Sequence, residues 1–355
     1  MKTAFTPRPG KTYTPTHDFI PELGTAEEIF PGLYWMRTPL PFELDHVNIW
    51  LLKGPDGFSI IDTGFNFEVA LQAWERVFAN VIGSTKVDNL FITHFHPDHF
   101  GLGGWVADRT KLMPQMTAPE YNIAQSLTDP EMQKTLESIY RPYYVAAGLT
   151  PDLMDDMLAR RFTYQKVVHT IPATFTEVKP GQTVTLGGKE WLVIDGYGHS
   201  PQHASLYNAA DKIFIAGDMV LPDISPNISF FPDKYFSADP VGVYLETLDR
   251  IKRLVPDDVA VLPSHGVPFR GLHKRIDELK YHHERRLEKL RKVVATGPMT
   301  AHQAMVGLFS HRILSRASDI FFALGETLAH LVYEEKAGRI RKTTENGVDS
   351  YSIPA

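Results

Sequence analysis

The chain contains no cysteine among its 355 residues. Disulfide bonds, thiolate metal sites and cysteine nucleophiles are therefore excluded, so any metal must be bound by histidine, aspartate or glutamate. A basic excess is also absent, because the formal net charge is −6. This balance argues against binding of nucleic acid by bulk electrostatics, and we disfavour nucleic acid as a partner.

Long apolar runs are missing as well. The first ten residues have no apolar core of the kind found in a signal peptide, and no stretch approaches the length that spans a bilayer. We therefore expect a cytoplasmic protein with no membrane partner. Hydrophobic residues make up 43% of the chain and charged residues 22%, which is the balance of an ordinary globular protein.

Four side chains of the types that bind metals lie within six residues, directly after the apolar run 90–92. They are His94, His96, Asp98 and His99. If the strand continued through this segment, His94 and His96 would point to the same side, and Pro97 would turn the chain toward a second point. Crowded imidazoles and a carboxylate are costly unless a cation binds them, so we predict a metal site with two ions.

Three more candidate ligands each follow an apolar, strand-like segment: His199, Asp218 and His265. Strand ends in layered folds of strands and helices converge on one rim, where ligand sites form. The whole ordered set resembles the pattern of the metallo-β-lactamase superfamily: His-x-His-x-Asp-His, then a single histidine, an aspartate and a last histidine. All seven positions match, over residues from about 30 to 270.

The resemblance implies a role for each residue. His94, His96 and His199 would bind one ion, Asp98, His99 and His265 the second, and Asp218 would bridge them. Asp62, in the sequence IIDTG, matches a position that orients ligands without binding metal. One departure is Gln202, which stands where the family usually has glycine in the loop after His199.

The implied activity is metal-dependent hydrolysis. We expect two divalent metal ions. Nitrogen and carboxylate ligands favour zinc, although iron and manganese bind to the same types of ligand. A hydroxide bridging the ions would attack a carbonyl, and Asp98 would orient it and shuttle its proton. His203 follows His199 closely, but we expect it to be a buried hydrogen-bonding residue and not a ligand.

The expected fold is α+β, a four-layer αββα sandwich with a helical insertion and a C-terminal winged-helix domain. We divide the chain into an N-terminal extended arm (1–30), a catalytic domain (31–273, with the insertion at about 118–166) and a linking helix with a winged-helix-like domain (274–355). Predicted helices include 131–147, 152–161, 241–254, 274–294, 301–309, 315–322 and 324–337. A hairpin turning at Asn346 and Gly347 follows the last of them.

Two substrate classes stay open. Met and Tyr residues in the insertion and aromatic residues in the loop 228–236 favour a small-molecule thioester, ester or lactone with an apolar portion. The alternative is a phosphodiesterase or endoribonuclease, with RNA bound by a basic cluster of the winged helix: Lys336, Arg339, Arg341 and Lys342. That domain could instead pack on the catalytic domain or on another subunit, so a homodimer is compatible with the sequence.

Overall fold

The computed structural model describes residues 2–4, 12–41, 44–161, 163–309 and 317–354. Strands occur along most of this length. In chain order they are β1 (Lys2–Ala4), β2 (Thr14–Pro15), β3 (Phe19–Pro21), β4 (Ala26–Phe30), β5 (Leu33–Pro39), β6 (His46–Lys53), β7 (Phe58–Ile61), β8 (Val87–Phe91), β9 (Gln115–Met116), β10 (Thr176–Glu177), β11 (Thr183–Leu186), β12 (Lys189–Gly196), β13 (His203–Asn208), β14 (Ile213–Gly217), β15 (Ala260–Pro263), β16 (Phe269–Arg270), β17 (Arg341–Glu345) and β18 (Val348–Ser352).

The helices lie between these strands and dominate the insertion and the C-terminal part. They are α1 (Glu68–Val77, continued by a π-helical turn, Phe78–Ile82), α2 (Pro97–Phe100), α3 (Gly103–Thr110), α4 (Ala118–Thr128), α5 (Pro130–Ala146), α6 (Pro151–Arg161), α7 (Tyr164–Val167), α8 (Pro240–Leu254), α9 (Leu272–Val294), α10 (Ala301–Leu308) and α11 (Ala317–Lys336). Among the described residues, none of these helices has the length and apolar character required to cross a membrane.

Two seven-stranded sheets make up the centre of the described chain. The first has the order β10-β9-β8-β7-β6-β5-β4, and the second has the order β11-β12-β13-β14-β15-β16-β2. Parallel pairing is confined to β7 through β10 in the first sheet and to β14 with β15 in the second. The segment that we interpreted as an extended arm supplies β4 to one sheet and β2 to the other.

Strand β6 shows how the layers are built. Its residues are buried from His46 to Leu52, as expected for a strand that is covered on both faces. Ile49 and Leu51 pack in the core that includes the helices α1 and α3, whereas Trp50 and Leu52 pack in the core between the two sheets. Helices therefore cover the outside of two stacked sheets, which confirms the predicted αββα sandwich.

The C-terminal part follows the long helix α9, which was predicted over 274–294. The separate helices predicted at 315–322 and 324–337 are wrong, because α11 runs unbroken through both from Ala317; Ser315 lies outside the described residues. Gly325 does not end the helix. A Cβ atom there would come within 2.7 Å of Ser229 Oγ, so the glycine permits close packing. A C-terminal domain is present, and its winged-helix character stays a prediction.

Candidate metal centre

Four of the predicted ligands meet at one point between the sheets, and we call them the first group: His94, His96, His199 and Asp218. His94 Nε2 lies 2.9 Å from His96 Nδ1 and 3.3 Å from His199 Nε2. These short separations place three ring nitrogens around a single point. All four side chains are at least largely shielded from solvent, and His94 is completely buried.

The other three predicted ligands form a second group: Asp98, His99 and His265. His265 Nε2 lies 3.3 Å from Asp98 Oδ2, and His99 Nε2 lies 3.6 Å from the same oxygen. Asp98 is the most exposed member, with 20% of its side chain accessible. The second group is therefore open to solvent on the side of Asp98.

Asp218 connects the two groups. Its Oδ2 lies 3.2 Å from His199 Nε2 and 3.9 Å from His94 Nε2, on the side of the first group. Its Oδ1 lies 3.6 Å from His99 Nε2 and 3.5 Å from His265 Nε2, on the side of the second. One carboxylate thus presents a different oxygen to each group.

The strand does not continue through His94 and His96. Strand β8 ends at Phe91, and both histidines lie in the loop before α2. The sheet ends here because Thr93 N–H donates to Asp62 Oδ1 at 2.8 Å, and Thr93 O accepts from Ala204 N–H of the other sheet at 2.8 Å. The rings converge through this loop geometry and not through strand alternation.

The outer nitrogens of four histidines are engaged by fixed partners. His99 Nδ1–H donates to Asp62 Oδ2 at 2.8 Å, His199 Nδ1–H to the carbonyl of Asn227 at 3.0 Å, His265 Nδ1–H to the carbonyl of His46 at 2.9 Å, and His94 Nδ1–H to Thr93 Oγ1 at 3.0 Å. These hydrogen bonds place a proton on each Nδ1 and direct each Nε2 toward the groups. Asp62 therefore contacts a candidate ligand from behind.

His203 lies behind the groups, as expected. It is fully buried, and its Nε2 accepts a hydrogen bond from Asp218 N–H at 3.2 Å. The backbone of Gly217 approaches this ring so closely that a Cβ atom would lie 2.2 Å from His203 Nε2, and its φ is +55°. Glycine before Asp218 is therefore required both by space and by backbone conformation.

The two groups differ in charge. Burial, together with His199, lowers the pKa of His96 to about 3, and burial also lowers the pKa of His94. Burial opposes a charge on His265 too, but Asp218 and Asp98 outweigh it and raise the pKa of His265 to about 10. At neutral pH His94 and His96 are therefore neutral, whereas a cation that enters the second group must displace a proton from His265.

The donor set fits divalent metal ions. Asp218 Oδ1 and His99 Nε2 are buried and have no hydrogen-bond partner among the residues that the structure describes. An unpaired buried polar atom costs roughly 1–3 kcal/mol. His94 Nε2 and His96 Nδ1, 2.9 Å apart, also face the same point. A cation would satisfy all of these atoms at once.

Two residues of the insertion contact this site and were not predicted. Glu120, in the first turn of α4, is completely buried, and its carboxylate accepts a hydrogen bond from Phe95 N–H at 2.9 Å. Tyr164 donates to the carbonyl of Phe95 at 2.6 Å. Burial raises the pKa of Glu120 to about 7, although its hydrogen bonds oppose that rise. Nothing in the local sequence marks Glu120, because acidic residues are common in the first turns of helices.

Comparison with known proteins assigns the family. The sequence profile described as the metallo-beta-lactamase superfamily matches residues 43–265, which is more than half of the chain. The chain belongs to the metallo-β-lactamase superfamily. A second profile, the metallo-beta-lactamase-like C-terminal domain, matches residues 287–353.

Several relatives resemble this superfamily member along most of its length. A beta-lactamase domain protein from Burkholderia ambifaria, of known crystal structure, is 36% identical with a TM-score of 0.85, covering 96% of this chain and 98% of its own. The probable metallo-hydrolase YqjP of Bacillus subtilis is 26% identical over 83% of this chain and 90% of its own. The acyl-coenzyme A thioesterase MBLAC2 of Bos taurus is 25% identical over 67% of this chain and 79% of its own. The chain is accordingly a metallo-hydrolase of this superfamily.

Proposed function

We propose that this metallo-hydrolase cleaves a carboxylic thioester, ester or lactone that has an apolar portion, at a centre of two divalent ions, which we propose to be zinc. The observation that supports the dinuclear centre best is Asp218, whose two carboxylate oxygens face different groups of ligands. The first group would hold one ion, the second group the other, and Asp218 both. When bound, such ions activate water and polarise the carbonyl that is attacked.

Asp98 is the residue of this chain that we assign to proton transfer. Burial works against its charge, but His99 and His265 outweigh that effect and lower the pKa of Asp98 to about 2. Its carboxylate is therefore ionised at neutral pH, and it lies at the solvent-accessible side of the second group. From there it can orient the attacking water, accept its proton and return that proton to the leaving group.

An aromatic wall beside the first group supports an apolar substrate portion. The ring of Phe95 lies 4.6 Å from the ring of His96 and 6.2 Å from that of Phe236. Phe231 continues the series, 4.8 Å from Phe236 and 5.9 Å from Phe321 of α11. The loop after Asp218 and the C-terminal domain thus add apolar surface next to the proposed reaction site, and an acyl chain can bury itself against such surface.

A cavity of about 410 Å³ adjoins the His199 loop. Its lining includes Gly198 and Ser200, on either side of His199, and Phe236 of the aromatic wall. This volume falls within the range of small-molecule pockets. The size supports a small-molecule substrate, and the name of the thioesterase relative supports a thioester among the three bond types.

The basic cluster of the C-terminal domain does not favour RNA. Lys336 pairs with Asp239 at 2.9 Å, Arg339 with Glu334 at 2.7 Å, and Lys342 with Asp349 at 3.7 Å. Three of its four cations are therefore partly neutralised by carboxylates of this chain. A strand of phosphates would have to compete with those ion pairs.

A substrate panel tests the proposal. Zinc-loaded enzyme should hydrolyse acyl thioesters, esters or lactones with long apolar chains faster than β-lactams, phosphodiesters or RNA, and Asp98→Asn should abolish most of that activity. RNA cleavage that disappears in an Arg341→Ala/Lys342→Ala double variant, with no activity on carbonyl substrates, would contradict the proposed substrate class in favour of an endoribonuclease.

A further inference from the structure

Glu120 connects two loops that carry ligands of the first group. Its Oε2 accepts from Phe95 N–H at 2.9 Å, between His94 and His96. Its Oε1 accepts from Ser200 Oγ–H and from Gln202 N–H, each at 2.6 Å, directly after His199. Among the described residues, no lysine or arginine forms an ion pair with this carboxylate. All of its hydrogen-bond donors therefore belong to the two ligand loops.

We propose that Glu120 is a positioning residue that fixes the His94–His96 loop against the His199 loop and thereby sets the metal affinity of the first group. This inference rests on the proposed dinuclear function. Tyr164 supports it from the other side, because its hydroxyl binds the carbonyl of the same residue, Phe95, whose N–H binds Glu120. The peptide units on both sides of Phe95 are thus clamped by the helical insertion.

The arrangement is specific to one group. Glu120 forms its hydrogen bonds with Phe95, Ser200 and Gln202 and with no residue of the second group. The rings of the second group are oriented by other partners, His99 by Asp62 and His265 by the carbonyl of His46. A fully buried carboxylate without a cation costs stability, and its hydrogen bonds offset that cost only in part. The donors that Glu120 binds lie in the two ligand loops, which favours a role in orienting ligands. Glu120 also binds Gln202, the residue that stands where the family usually has glycine.

The test is zinc affinity in a Glu120→Gln variant. Glutamine keeps the shape but replaces one accepting oxygen by an NH₂ group, which must face Phe95 N–H or the donors of the His199 loop. Loss of a partner that orients ligands typically weakens metal binding about 10- to 100-fold. Stepwise zinc dissociation constants, measured by competition with a chromogenic chelator, should show that loss for one ion, while the other ion binds as in the wild type.

Two further variants make the result decisive. Glu334→Gln alters another fully buried glutamate, which pairs with Arg291 and Arg339 in the C-terminal domain, and should bind both ions with wild-type affinity. Ser200→Ala removes one donor of the cluster, should weaken the same ion several-fold, and decides the question if Glu120→Gln does not fold. A wild type that binds no zinc would refute the proposed function. A wild type with two ions and unchanged affinity in the folded variants would refute only the role of Glu120.

Discussion

Replacing Asp62 by asparagine should weaken metal binding, chiefly at the second group. Asp62 is 2% exposed, and its Oδ2 accepts from His99 Nδ1–H at 2.8 Å. Its Oδ1 accepts from Thr93 N–H, also at 2.8 Å. Asparagine has one accepting oxygen, so its NH₂ group must face one of these donors. If it faces His99, the ring has to move its proton to Nε2, which is the atom needed as a ligand.

The size of the effect follows from the bond that is lost. A hydrogen bond to a buried charged group contributes about 1.5–3 kcal/mol, which corresponds to roughly a 10- to 100-fold loss of zinc affinity. Competition with a chromogenic chelator measures it. Asp88→Asn is the matched control, because that carboxylate bonds Ser59 and Asn89, away from both groups. An Asp62→Asn variant that binds its second zinc ion as tightly as the control would refute the reasoning.

Two other predictions concern pH and substrate. Zinc affinity of the second group should rise at least about tenfold per pH unit between pH 6 and 9, because His265, with a pKa of about 10, must first lose a proton. His99 adds to this slope, since burial opposes its charge but Asp98 and Asp218 outweigh burial and raise its pKa. The first group, where the pKa of His96 is about 3, should change little. Equal slopes for both ions in zinc titrations would contradict this difference. Phe321→Ala should raise KM for a long-chain thioester about 5- to 10-fold and leave KM for a short-chain thioester unchanged. Phe322→Ala is the control, because Phe322 is 53% exposed, and it should change neither KM. Equal effects of Phe321→Ala on both chain lengths in steady-state kinetics would contradict a role for the aromatic wall.

The seven candidate ligand positions could be predicted because the cluster 94–99 and each of the three later residues follow an apolar strand-like segment. The topology brings those ends together: β8, β12, β14 and β15 all end close to the site. Residue order and strand-end position are properties of the sequence itself. The resemblance then added the division into two groups and the role of Asp218.

The rest depended on contacts between distant residues. The end of β8 is decided by Asp62 and Ala204, which take the backbone bonds of Thr93 away from the sheet. Glu120 is buried only because the two ligand loops fold over it, and local pattern cannot show that. The break predicted between 322 and 324 is absent, and the nearby Gly325 is explained by Ser229, which lies far away in sequence and uses the space that the glycine leaves.

Metal content is the measurement that tests the dinuclear centre most directly. Protein purified without chelators and analysed by plasma emission spectroscopy should contain about two divalent ions per chain, mainly zinc. Asp218→Ala, which removes the carboxylate shared by both groups, should retain at most one. A metal content near zero in the wild type would contradict the dinuclear centre. An Asp218→Ala variant with the metal content and activity of the wild type would contradict it too.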